Sequence, residues 1–192
     1  IEGLLRIASS YSHRFDEVIL SLPKGRKLQA ITVSANRRQT TIINATLENA
    51  TLNTNGYLLR IEGSRIKNSK FTTPNIINIF KTELTDSQVK TEGGHIYAEN
   101  IQVHGKVELD SHNHLRLFLS KTEFDRINLD ISSKHGGIYR KAYREHPKQK
   151  DNELANPYKT EKADVKDLLI IKANQDIYLP KEEEYSAPPR NH

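Results

Sequence analysis

Apolar and polar residues alternate along this chain in runs too short for helices, and the runs recur. One pattern reads apolar, any, Asn or Asp, Ala or Ser, any, apolar, any, Thr. It appears at Leu47-Glu48-Asn49-Ala50-Thr51-Leu52-Asn53-Thr54, at Ile66-Lys67-Asn68-Ser69-Lys70-Phe71-Thr72-Thr73, and at Leu84-Thr85-Asp86-Ser87-Gln88-Val89-Lys90-Thr91. Leu28 to Ala35 fits upstream, Phe124 to Ile131 fits downstream with Ile127 in the small-residue slot, and Val103-His104-Gly105-Lys106-Val107 is an irregular copy. The first apolar positions, 28, 47, 66, 84, 103 and 124, are 19, 19, 18, 19 and 21 residues apart. Self-similarity at such a period marks a stacked repeat.

A second apolar ladder runs through the same units at Leu59 and Ile61, Ile77 and Ile79, Ile96 and Ala98, and Leu117 and Leu119. Arg60, Asn78, Tyr97 and Phe118 alternate with it, as a strand with one buried face requires. Turn-prone clusters separate the two strands of each unit: Thr54-Asn55-Gly56, Thr73-Pro74-Asn75, Glu92-Gly93-Gly94, His112-Asn113-His114 and Lys134-His135-Gly136-Gly137. A hairpin meander would also give strands and turns. Repetition of the whole two-strand unit instead predicts coils that stack in parallel, with Leu52, Phe71 and Val89 in one internal column and Leu47, Ile66 and Leu84 in another. The expected fold is all-β, a right-handed single-stranded parallel β-helix (β-solenoid) of about six coils of roughly nineteen residues with capping strands.

The boundaries follow from that pattern. Residues 1–180 form the solenoid domain, with 1–27 as amino-terminal cap strands and 28–140 as the repeat coils. Residues 141–163, polar and carrying Pro147 and Pro157, are expected to be a loop. Residues 164–180 then supply final strands, as a last coil or cap, and the acidic, proline-bearing stretch 181–192 is expected to be a disordered tail or linker.

Composition refines this picture. Only 35% of the 192 residues are hydrophobic and 28% are charged, which suits a thin, elongated core better than a wide one. The 29 Lys and Arg are interspersed with 24 Asp and Glu, so no basic stripe with stacking aromatics predicts nucleic-acid binding. With no cysteine, disulfides, thiolate metal sites and cysteine nucleophiles are excluded. No apolar run is long enough to span a bilayer. The chain opens at Ile1 and has no methionine, so a fragment or processed product is expected, with any signal peptide or membrane anchor outside it.

Candidate chemistry is sparse. Asn49, Asn68 and Asp86 stack in the repeat, where a polar ladder at a bend serves the backbone. Asp110, Asp125 and Asp130 fall at different phases of the repeat and predict no catalytic constellation. His95 and His114 sit beside equivalent corners and could approach each other and His112 or His135, making a weak metal site or a protonation-sensitive edge; exposed turn histidines without a ligand are the expectation. His112-Asn113-His114 spells a nuclease label only superficially, and Gly93-Gly94 and Gly136-Gly137 are corners, not phosphate loops. No catalytic residue, metal or cofactor is expected, and the binding residues are left unassigned.

The leader Val18-Ile19-Leu20-Ser21-Leu22-Pro23-Lys24-Gly25, followed by coils of the form apolar-x-Asn-Ala-x-apolar-x-Thr-x-x-Gly, resembles the bacterial adhesin-like domain of unknown function over roughly residues 15–180. That family occurs in cell-envelope proteins, including some tied to Lia-type envelope-stress responses. The resemblance implies a surface-exposed or membrane-associated β-solenoid of a Gram-positive-like bacterium. The expected function is a non-catalytic, adhesin-like binding module whose partner is an envelope component, another protein or a host ligand. A sensor or regulatory module of an envelope-stress system and a carbohydrate-active β-helix enzyme are the alternatives.

Overall fold

The computed structural model describes residues 39–54, 56–140 and 153–180, together with the backbone of four earlier strands. Those four are β1 (Leu4–Ala8), β2 (Glu17–Ser21), β3 (Lys27–Leu28) and β4 (Ala30–Ser34), and β5 (Gln39–Ile43) follows. Three short strands then recur in fixed order: β6 (Thr46–Glu48), β7 (Thr51–Thr54) and β8 (Leu58–Glu62); β9 (Arg65–Lys67), β10 (Lys70–Thr73) and β11 (Ile76–Phe80); β12 (Glu83–Thr85), β13 (Gln88–Thr91) and β14 (Ile96–Glu99); β15 (Gln102–His104), β16 (Lys106–Ser111) and β17 (Leu115–Phe118). The remaining elements are α1 (Lys121–Arg126), β18 (Asn128–Ser133), β19 (Ile138–Arg140), β20 (Glu153–Leu154), β21 (Tyr158–Thr160), β22 (Leu168–Ala173) and β23 (Ile177–Leu179). The tail expected at 181–192 and the first part of the polar stretch expected at 141–163 lie outside the described residues.

Equivalent strands stack in three parallel sheets. Sheet A runs β1-β4-β7-β10-β13-β16-β22-β18-β21, sheet B runs β2-β5-β8-β11-β14-β17-β23-β19-β20, and sheet C runs β3-β6-β9-β12-β15. The protein is therefore a parallel β-solenoid. Its internal columns fall where the sequence repeat places them: Leu47, Ile66, Leu84 and Val103 in sheet C, and Leu52, Phe71 and Val89 in sheet A. All seven are buried.

Four expectations change. First, each coil has three strands instead of two, because the octad is two strands bent at its Asn-Ala step; a three-residue strand with one inward residue is too short to show alternation. Second, the sheet B ladder continues from Ile96 and Ala98 to Leu115 and Leu117, two residues earlier than Leu117 and Leu119, because the turn after β16 spans only 112–114 where the turn after β13 spans 92–95. Third, Phe124 is not a sixth copy. It lies on α1, which Ser120 caps by accepting the Glu123 amide at 3.1 Å. Fourth, the segment 153–163 is not wholly loop, since β20 and β21 pair antiparallel with β19 and β18 and close the carboxyl-terminal end.

Among the described residues, the last strands in sequence are not the last in space. β22 pairs in parallel with β16 on one side and β18 on the other, so Ile171 stands between Leu109 and Ile131. β23 does the same between β17 and β19. The chain thus leaves β17, skips one rung by way of α1, lays down β18 and β19, and returns to fill the gap. Asp167 fixes the entry point: its carboxylate accepts the Gly105 amide at 2.7 Å and the Arg126 guanidinium, and its carbonyl accepts the Asn128 amide at 2.8 Å.

The corners explain the polar slots of the repeat. Asn49, Asn68, Asp86 and Gly105 occupy the bend between sheets C and A with φ of 56°, 48°, 46° and 63°. That left-handed region is open to Gly and tolerated by Asn and Asp. A side chain at Gly105 would also collide with the Asp86 carboxylate, at 2.1 Å. In the next slot Ala50, Ser69 and Ser87 are buried, and the two serines carry a hydroxyl. Ser69 Oγ accepts the Ala50 amide at 3.0 Å and donates to the Lys67 carbonyl at 2.7 Å, while Ser87 Oγ accepts the Ser69 amide at 3.1 Å. The ladder read from Asn49, Asn68 and Asp86 is therefore a backbone device, since buried amides left unpaired are costly.

Candidate binding face

Three outward faces of different chemistry follow from three sheets. On sheet A three ion pairs cross between outward residues: Lys90 lies 3.5 Å from Asp110, Lys172 2.7 Å from Glu108 and Lys159 3.0 Å from Asp130. Sheet C is similar, with Arg65 3.3 Å from Glu83 and Lys67 3.8 Å from Glu48. Exposed pairs of this kind add little stability but leave a neutral, well-solvated surface.

Sheet B differs. One outward row runs Arg60, Asn78, Tyr97, Arg116, Tyr178 and Tyr139, and the neighbouring row runs Glu62, Phe80, Glu99 and Phe118. The aromatic rings fall in two groups along a strip, Phe80, Tyr97 and Phe118 with successive centroids 5.5 Å and 5.7 Å apart, and Tyr178 and Tyr139 at 6.0 Å, with Arg116 between Tyr97 and Tyr178 in the row. Arg60 lies over Phe80 at 5.2 Å and Arg116 over Tyr178 at 5.6 Å. Such contacts hold the rings in fixed attitudes. The acids here are engaged: Glu62 accepts Arg60 at 2.7 Å and Glu99 accepts the Tyr97 hydroxyl at 2.8 Å.

A third outward row carries the two histidines that the sequence singles out. His95 and His114 stack with centroids 5.5 Å apart, and His114 continues to Tyr178 at 6.2 Å. Burial, and after it the charges of His114 and Arg116, hold the His95 imidazole below its ordinary value. Asp176, largely buried, accepts the Gly137 amide at 3.0 Å and the Tyr178 hydroxyl at 3.1 Å, and lies 3.9 Å from His114 Nδ1. Burial and then the Asp176 carboxylate push the Tyr178 phenol up to about 12.

The other candidates separate. His112 Nδ1 meets Asn174 at 3.5 Å and His135 is exposed at its own corner, so neither joins His95 and His114. Among the described residues no three or more His, Asp or Glu side chains are grouped to hold a metal ion. Asp110 and Asp130 lie in different rows of sheet A on either side of β22, and Asp125 lies on α1. The strip on sheet B escapes a reading of the sequence because its residues enter as the polar half of an alternation. Aromatic residues in those outward slots were the available signal.

Fold and face together define a three-sided β-solenoid with one aromatic, cation-bearing side. The chain matches the Toastrack family DUF4097 over residues 3–179 and belongs to it. This is a domain of unknown function. No curated protein and no solved structure matches the chain.

Proposed function

We propose that this domain is a non-catalytic, adhesin-like binding module of the cell surface or envelope, and that it engages an extended partner along sheet B. The observation that supports this reading is the concentration of aromatic rings on one of three faces, next to two that carry cross-strand ion pairs. A rigid solenoid presents such a row at the parallel-strand spacing of about 4.8 Å, so many weak contacts form with little ordering cost.

The test compares retention of purified protein on bacterial cell-wall preparations and on host extracellular-matrix polymers. The double variant Tyr97→Ala, Phe118→Ala should keep the far-ultraviolet spectrum of the parent and lose retention. Lys90→Ala on sheet A should retain as the parent does. Equal retention by all three proteins would refute the assignment to sheet B.

A further inference from the structure

One basic residue beside the strip stands apart from the cross-strand ion pairs of sheets A and C. Arg116 is exposed and has no carboxylate partner among the described residues. It neighbours Tyr97 and Tyr178 in register, and its charge reaches His95. His95 in turn stacks on His114. Three basic side chains therefore crowd one stretch of sheet B. The acid at hand, Asp176, is largely buried and already accepts two hydrogen bonds, from Gly137 and Tyr178. Glu99 on the other side of Tyr97 is held by the Tyr97 hydroxyl. Arg116 is thus the exposed cation of this stretch without an ion pair among the described residues, and beside it lies a row of rings.

We propose that Arg116, His95 and His114, with Tyr97 and Phe118 beside them, form a binding site for an acidic polysaccharide, whose carboxylates meet the basic cluster while its sugar rings pack on the aromatic strip. The inference rests on the sheet B reading above and adds the ligand class. Charge complementarity selects an anion, and the contiguous rings select a polymer with apolar ring faces over a simple polyanion. An extended chain laid along the solenoid axis meets a new rung at each step of the stack, so several sugar units are engaged together.

The site makes a specific demand on pH. His95 stacks on His114 with the Arg116 charge close by, and both oppose its protonation. A bound carboxylate supplies the missing opposite charge, so binding should draw a proton onto His95 and strengthen as pH falls from 8 to 6.

The experiment uses the full chain and measures binding of polygalacturonate, alginate and hyaluronate. Polyaspartate serves as the anion without sugar rings, and a neutral glucan as the rings without charge. At least one acidic polysaccharide should bind in preference to both controls. Arg116→Gln should weaken that binding by about tenfold, as loss of one charge-assisted hydrogen bond does. Tyr97→Ala should weaken it comparably, and the His95 ring signals should report an upward shift of its pKa on saturation.

Equal binding of the neutral glucan, lost in Tyr97→Ala and unchanged in Arg116→Gln, would overturn the acidic-ligand inference while leaving sheet B as the binding face. Equal binding of polyaspartate, insensitive to Tyr97→Ala, would overturn it in favour of plain ion exchange. Absence of binding by all three acidic polymers would also overturn it, and retention on cell walls would then decide the sheet B reading separately.

Discussion

Glu123 Oε1 accepts the backbone amide of Val103 at 2.6 Å, at the last strand of sheet C. Arg126, held by the same carboxylate, donates to the Val103 carbonyl. One helix turn thus satisfies both polar groups of an edge residue that a further strand would otherwise pair. Glu123→Ala should lower stability in urea by about 1–3 kcal/mol, the cost of leaving a buried amide unsatisfied. Glu123→Gln, which keeps an acceptor in place, should cost less. Equal losses in the two variants would show that the amide contact is not what matters.

The bend at Asn68 separates backbone strain from hydrogen bonding. Asn68→Gly should leave the melting temperature close to the parent, because glycine accepts its φ of 48°. Asn68→Val should cost about 1–2 kcal/mol from the left-handed conformation alone. Ser69→Ala should cost about 1–3 kcal/mol through a different route, the orphaned Ala50 amide. Thermal melts of the three proteins check the order.

Stability should fall at both ends of the pH scale through two residues of sheet B. Tyr178 has its folded-state pKa raised to about 12, so above pH 10 the unfolded chain releases this proton first and stability declines between pH 10 and 12. His95 has its folded-state pKa lowered, so its contribution is complete above pH 6.5 and is lost as the unfolded chain protonates below that value. Urea midpoints measured across pH should show both slopes. Tyr178→Phe should flatten the alkaline one and His95→Gln the acid one.

A chain ending at residue 160 lacks β22 and β23 and should leave a missing rung between β16–β17 and β18–β19. Because each rung of a solenoid is stabilised by its neighbours, amide-exchange protection should collapse over 106–140 and persist over 46–99. A synthetic peptide of residues 161–180 should restore it. Undiminished protection without the peptide would mean that the inserted rung is dispensable.

How much of this was legible in the sequence depends on how regular the coil is. Leu47, Ile66, Leu84 and Val103 share a column because each is the lone inward residue of its strand, and their spacing survives as a plain period. The corner slots at Asn49, Asn68 and Asp86 are visible because only a few residue types accept a left-handed bend. Regularity fails after β15. Ser120-Lys121-Thr122-Glu123 has the spacing of a helix-capping box, yet the apolar Phe124 and Ile127 mimic a strand copy more strongly. The return of β22 into the stack leaves no local trace, since Leu169 and Ile171 alternate as they would in any rung. Arg116 was equally hidden, because its significance lies in which charges are absent around it.

The early end of sheet C gives the molecule a polarity. With α1 across that edge and the two- and three-residue strands β20 and β21 folded back over the others, the carboxyl-terminal face offers almost no template for another chain. Among the described residues, a further strand seeking to pair on that side meets only these short closing elements.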